Sequence, residues 1–393
     1  MPNIQALNGV SGASVQAVNG VAVADIQAIN GFDVPSGPAT ASRWVVTTAD
    51  GFFFHLPAND LTSPTAYDAY DEGTANQNTG DGESVCFGKN GSGQDVYIAT
   101  RSRQNGGTQT RELTISGTDV TATSEWTNID LDGTGSLAAI MQVVWSPKAD
   151  GSSGGTWVAV GKQGSANIYR STDGTNWSAV SLSGISGHEH GGPTKPYLNG
   201  VATDGQGRFM TSQEDRIYYS TDDGQTWASS TPFGTNNKPG RFQGICFTNN
   251  SWVLCYSRSS QVRYRSCAAS DITDWGNEVT SIGVAHGTSA GRGAKMAAAN
   301  GNVCVCMEND TNINRFTVSG KTIGTVSDTG TIFSALRGIA TDGNQWVAIA
   351  DDGDLYESTD NGANWNQRLD AYQANGSQTL DLHAVCADVL LPL

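Results

Sequence analysis

Few residues of this 393-residue chain are spaced for chemistry. His188-Glu189-His190 is one case, since imidazoles at i and i+2 on a strand share a face and could hold zinc. Its flanks are Ser-Gly and Gly-Gly-Pro193, which read as a polar loop, and no third ligand stands nearby. A retaining glycosidase needs two carboxyl groups about 5 Å apart, and no spacing among the many Asp selects a pair. No Gly-rich phosphate loop, G-x-S-x-G elbow or Cys/His nucleophile pair is present. No catalytic residue, cofactor or metal is therefore expected. What remains is a series of residues just before a glycine, or its equivalent, at the start of a repeated apolar segment. These are His383, Glu83, Gln142, Asn199, Gln243, Ala294 and Arg337, six of the seven polar. Arg241 and Arg292 lie at comparable starts. Brought to one mouth, such residues could grip a polar ligand, although any hydrated opening would have the same composition.

The segments that must position them repeat. The clearest is Gly338-Ile-Ala-Thr-Asp-Gly-Asn-Gln-Trp-Val-Ala-Ile-Ala350, two short strands around an Asp-Gly turn. Gly200 to Met210 and Gly244 to Cys255 align with it; 295–305, 84–98 and 142–160 are weaker copies. Second strands are predicted to begin near 44, 96, 157, 208, 252, 303 and 346, the spacing of a radially repeated sheet fold. His383 to Asp388 reads as a first strand without a second, and Arg43 to Thr48 as a second strand without a first. Joining them would close the ring and pair both exposed edges. The expected fold is therefore an all-β propeller over 41–393. It has seven blades, or six if 83–130 is an insertion.

After a short run rich in Tyr and Ile that reads as a strand, the repeat carries Ser220-Thr-Asp-Asp-Gly-Gln-Thr-Trp227, with Asp222 and Gly224 in the turn. Ser358-Thr-Asp360-Asn-Gly362-Ala-Asn-Trp365 matches in full. Ser171-Thr-Asp173-Gly-Thr-Asn-Trp177 is one residue shorter. Asp can accept backbone N–H bonds, Gly can take positive φ, and Trp can cover the turn. Ser266 to Trp275 is a longer variant, and 292–330 retains only Asp328-Thr-Gly330. This S-x-D-x-G-x-x-W pattern resembles the Asp-box, or BNR repeat, of sialidase-like β-propellers. The resemblance implies a structural hairpin found in enzymes, receptors and scaffolds alike. A sialidase site would imply three arginines gripping a carboxylate, a Tyr–Glu nucleophile pair and an Asp acid/base. Arg241, Arg292 and Arg337 sit at suitable blade starts. However, no Arg-Ile-Pro precedes the first box, and no Glu is identified for Tyr372.

Residues 1–40 are of another kind. Ile4-Gln-Ala-Leu-Asn-Gly-Val10, Val15-Gln-Ala-Val-Asn-Gly-Val21 and Ile26-Gln-Ala-Ile-Asn-Gly-Phe32 recur every 11 residues, each ending a short strand in a hairpin-forming Asn-Gly. Three such units are too small to stand alone, so this arm is expected to dock on something else, with Pro35-Ser-Gly-Pro38 as linker. The repeats resemble N-terminal segments of structural proteins from tailed, particularly marine, bacteriophages.

A net charge of −16, with 22 Lys+Arg among 38 Asp+Glu, argues against nucleic acid as a partner. No apolar run of about 18 residues suggests membrane insertion, and no secretory signal is visible at the N-terminus. The seven Cys form no metal spacing, and most lie in apolar runs where Cys acts as a small buried hydrophobe. The first expectation is a non-enzymatic virion protein, oligomeric in the particle. Residues 1–40 would contact other virion proteins, and the propeller would bind a host-surface glycan or protein receptor or decorate the particle. A glycoside hydrolase acting on acidic glycans, or a cellular assembly scaffold, are the alternatives.

Overall fold

In a computed structural model, aromatic side chains near the start of the second strands set the architecture. Trp44, Trp157, Trp252 and Trp346 expose no surface, and Phe209 takes the same place in a fifth sheet. Each packs on the sheet before it: Trp157 against Val96 and Ile98, Phe209 against Val158 and Val160, Trp252 against Ala202 and Met210. Burying a side chain of this size contributes about 2–3 kcal/mol, so the sheets stack like spokes. The structure describes residues 43–48, 52–68, 83–105, 108–117, 126–131, 139–162, 168–180, 198, 200–213, 216–232, 242–258, 261–280, 296–299, 303–307, 312–329, 333, 336–370, 373–374, 378–379 and 382–388, with short strands between 6 and 33.

Seven antiparallel blades result. Blade 1 joins Leu382–Ala387 to Arg43–Thr48, Phe52–Pro57 and Thr65–Asp68. Blade 2 runs from Val85–Lys89 through Asp95–Asn105 and Thr108–Ile115 to Thr127–Asp130, and blade 3 from Ala139–Pro147 through Gly155–Lys162 and Ile168–Ser171 to Ser178–Val180. Blade 4 comprises Val201–Thr203, Phe209–Gln213, Arg216–Ser220 and Ala228–Ser230, and blade 5 Phe242–Thr248, Ser251–Arg258, Gln261–Ala268 and Val279–Thr280. Blade 6 has Met296–Ala299, Val303–Met307 and Ile313–Ser319 with the short strands Thr322–Ile323 and Ser327–Asp328. Blade 7 has Leu336–Thr341, Trp346–Ala350, Leu355–Ser358 and Asn366–Leu369. Seven buried apolar clusters lie at the seven seams between neighbouring blades. Region 83–130 is a full blade rather than an insertion, which removes the six-bladed alternative; its Trp126 packs edge-on against Phe53 of blade 1 at 4.6 Å.

Blade 1 closes the ring as the termini predict. Leu382 to Ala387 pair with Thr48 to Trp44. The seam is extended by Asp388 N–H to Arg43 O (3.2 Å) and Arg43 N–H to Asp388 Oδ1 (3.1 Å). Within 1–40, three hairpins of two-residue strands form (Ala6–Leu7 with Val10–Ser11, Ala17–Val18 with Val21–Ala22, Ala28–Ile29 with Phe32–Asp33). Each leaves two residues, Asn-Gly or its Asn30-Gly31 equivalent, between the strands.

The Ser-x-Asp turns are knotted by side chain to backbone bonds. Ser358 Oγ accepts from Gly362 N–H (3.0 Å) and donates to Asp360 Oδ1 (2.8 Å). Asp360 then accepts from Ala363 N–H (3.1 Å) and Asn364 N–H (2.9 Å), and Trp365 Nε1–H reaches Gly362 O (3.1 Å). Ser220, Asp222 and Trp227 repeat this pattern, as do Ser171, Asp173 and Trp177. The length difference has a backbone cause. The two longer turns use consecutive left-handed residues, Asp223–Gly224 and Asn361–Gly362, whereas the short one needs Gly174 alone. In blade 6, the third and fourth strands are instead joined by a turn at Gly320 (φ 57°), and Asp328 lies in a strand paired with the third.

Candidate functional site

Antiparallel alternation sorts the connections. The start of each first strand, the second-to-third turn and the blade-to-blade connection share one face; the Ser-x-Asp turns lie on the other. Of the polar residues singled out in the sequence, the described positions Glu83, Gln142, Gln243, Arg337 and His383 belong to the first face, the channel mouth. β-Bulges mark the position. Arg337 falls at the register shift between Leu336 and Gly338, His383 between Leu382 and Ala384, and Gln243 between Phe242 and Gly244. A bulge re-aims its extra residue out of the ladder.

The structure brings Arg337 and His383 together around a residue that the sequence did not single out, Asp351 in the second-to-third turn of blade 7. Arg337 grips both carboxylate oxygens of Asp351, through Nε to Oδ1 and Nη2 to Oδ2. His383 Nε2 lies 4.0 Å from Oδ1. The Arg337 and His383 side chains are each only 9% exposed. A guanidinium binds a carboxylate best through a paired edge, and Asp351 occupies the Nε–Nη2 edge of Arg337. Glu83 is half-buried beside Ser84. Gln142 is one place out of register: Met141 holds the bulge, and Gln142 takes the glycine position. From there Gln142 Oε1 accepts Val201 N–H of blade 4 (3.1 Å), as Ser84 Oγ accepts Val143 N–H of blade 3 (3.3 Å). These side chains latch neighbouring inner strands. Arg241, Arg292, Asn199, Ala294 and His188 to His190 lie outside the described residues, as do Tyr372 and the side chain of Gln243.

A second cluster lies on the same face, on the side of blade 5 turned toward blade 4. Tyr256 Oη donates to Glu278 Oε2 (2.5 Å), while Arg258 Nη2 (2.6 Å) and Arg263 Nη1 (2.5 Å) both donate to Glu278 Oε1. Arg263 also reaches Thr280 Oγ1 (3.1 Å) and Gln261 Oε1 (2.7 Å), and Arg265 Nη1 reaches Pro232 O of blade 4. A Tyr–Glu pair among arginines has the composition of a glycosidase nucleophile, but its setting opposes that chemistry. Tyr256 exposes no surface, and burial together with the bond to Glu278 raises its hydroxyl well above the ordinary phenol range. A nucleophile needs the reverse shift and access to substrate. The pair is distant in sequence, and only the strand register, with Tyr256 opposite Arg263 and Arg263 opposite Thr280, assembles it.

On the opposite face, a cleft of about 230 Å³ lies between blades 7 and 1. Its polar groups already satisfy one another: Gln345 and Arg368 both bond to Glu357, and Trp44 Nε1–H donates to Gln345 Oε1 (2.9 Å). Among the described residues, no group of three or more His, Cys, Asp or Glu could hold a metal ion. No helix among the described residues is long and apolar enough to cross a membrane. The described cysteines are free thiols; burial pushes Cys267 up to about 12, which keeps it protonated and unreactive.

No protein-family model and no curated protein matches the chain. Solved structures do. A protein from Lactobacillus plantarum aligns over 88% of this chain and 99% of its own, at 10% identity and a TM-score of 0.54. BamB from Moraxella catarrhalis aligns over 88% of this chain and 86% of its own, at 11% identity and 0.45. YCF48 bound to a D1 peptide aligns over 72% and 79%, at 16% identity and 0.44. At such identities a likeness shows architecture and nothing of chemistry; the chain is a seven-bladed β-propeller.

Proposed function

We propose that this chain is an Asp-box propeller serving as a non-enzymatic virion protein of a tailed phage, assembled in the host cytoplasm. Residues 1–40 dock it, in several copies, onto other particle proteins, and the propeller presents its mouth face to a host-surface glycan or protein receptor. One observation carries the non-enzymatic part: Arg337 and Asp351, described at the mouth, bind each other. Arg337 is held on both carboxylate oxygens of Asp351, so the arginine best placed to grip a substrate carboxylate is occupied. Tyr256, which donates to Glu278, is buried and protonated. Two further features support a binding role. Every blade-to-blade connection starts and ends on the mouth face, where a rigid scaffold can display variable loops. The arm's two-residue strands are too short to persist without a partner surface.

The test is to incubate the full-length protein with an array of neutral and acidic glycans, scoring retained ligand and released sugar separately. Binding without release is expected. Sugar release that Arg337→Ala abolishes would replace this reading with a sialidase-like hydrolase.

A further inference from the structure

The acidic character of the chain is not uniform. Asp and Glu make up 38 of 393 residues, roughly one in ten, yet none occurs from Gly224 to Ser270. That stretch carries five cations: Lys238, Arg241, Arg258, Arg263 and Arg265. Three of these lie on the blade 5 side turned toward blade 4, where Leu254 and Tyr256 pack with Met210 and Ile217.

The geometry around Glu278 leaves positive charge in excess. Arg258 and Arg263 share its Oε1, and Tyr256 fills Oε2. One carboxylate thus meets two guanidinium groups. Arg263 Nε is buried without an acceptor, and Arg258 is 25% exposed at the rim beside Gln261. In a protein of net charge −16, a rim where cations outnumber carboxylates among the described residues is a place for an anion.

We propose that this rim between blades 4 and 5, centred on Arg258 and Arg263, binds the oxyanion of an acidic polysaccharide, a carboxylate or a sulfate carried on a sugar. The inference rests on reading the propeller as a binding module. A sugar polymer offers isolated oxyanions flanked by hydroxyls, which suits two guanidinium groups bordered by Gln261 and Thr280. Nucleic acid affinity is built from many phosphate contacts, and the overall negative charge opposes it.

The experiment measures binding of the full-length protein to polygalacturonate, dextran sulfate and neutral dextran at low salt, with duplex DNA and polyglutamate as competing polyanions. Retention of one or both acidic polysaccharides, but not dextran, is expected; their relative strength tells carboxylate from sulfate. Arg258→Ala should weaken binding about tenfold or more, the effect of losing one charge-assisted bond. Arg263 and Tyr256 still hold Glu278 in that variant, so the fold should persist. Glu278→Gln removes the competing carboxylate and should tighten binding, which a purely structural role for Glu278 would not do. Equal retention of DNA or polyglutamate would overturn the glycan assignment. Polysaccharide binding indifferent to Arg258→Ala would remove this site but keep the binding-module reading. Failure to bind either acidic polymer, with neutral glycans still bound, would do the same; no binding to any glycan would count against both.

Discussion

Replacing Ser358 with Ala tests how the blade turns are held. The hydroxyl is fully buried, accepts Gly362 N–H at 3.0 Å and donates to Asp360 Oδ1 at 2.8 Å. Removing it deletes two bonds, each contributing about 1 kcal/mol net, and leaves the buried Gly362 N–H without its acceptor, a further cost of about 1 kcal/mol or more. The expected loss is about 2–3 kcal/mol. With a urea m value of about 3 kcal/mol/M for a domain of this size, the unfolding midpoint should fall by roughly 0.7–1 M at unchanged slope. Thr359→Ala, at the exposed neighbouring position, should stay within about 0.5 kcal/mol. Ser171→Ala and Ser220→Ala should behave like Ser358→Ala, because both hydroxyls make the same bonds. A Ser358→Ala protein as stable as wild type would refute the claim that the serine organises the turn.

Acid should loosen the same turns. Partial burial raises the Asp173 carboxyl, but bonds from the side chain and backbone of Asn176, from Thr175 N–H and from Ser171 outweigh it and bring it down to about 2; Asp222 and Asp360 are lowered in the same way. A carboxyl depressed on folding stabilises above its ordinary value near 3.8 and loses that contribution as pH falls toward 2. Stability should therefore drop between pH 4 and 2, by about 1 kcal/mol for the Asp173 turn after solvent screening, and thermal melts should show a smaller drop in Asp173→Asn. Arg337→Ala should cost about 1–3 kcal/mol by stranding Asp351, with Arg337→Lys recovering little because an ammonium cannot form the paired contact; chemical denaturation checks both. Gly155→Ala should destabilise by several kcal/mol, since a Cβ there would fall 2.5 Å from the backbone oxygen of Ser146 and onto the Trp145 ring. Thermal melts against the wild type measure it.

The parts of this fold legible in sequence are those whose chemistry is local. The Ser-x-Asp turns, the aromatic at the head of the second strand and the split blade at the termini each follow from neighbouring residues. Ser171 to Trp177 could be recognised despite its deletion, because one left-handed glycine does the work of two left-handed residues. Blade 2 is harder to read: the aromatic of its second strand is Tyr97, packed with Val45 and Phe53 of blade 1, where other blades place Trp or Phe, and Ser84 stands where others have glycine. The candidate sites were half legible. Repeat phase pointed to Arg337 and His383, but not to Asp351, which lies in a turn with no motif of its own. Phase also failed at Gln142, where the bulge shifts register by one residue. The Glu278 cluster left no local signature, because the long turn that replaces the Ser-x-Asp motif in blade 5 separates Glu278 from the arginines that hold it.

The central claim is that residues 1–40 anchor a binding propeller in a phage particle. Its most direct test is to compare the full-length chain with a chain lacking residues 1–40 for incorporation into purified virions, with glycan binding by each measured in parallel. Only the full-length chain should enter the particle, and both should bind the same glycans without trimming them. Equal incorporation of both chains, or trimmed glycans, would contradict the claim.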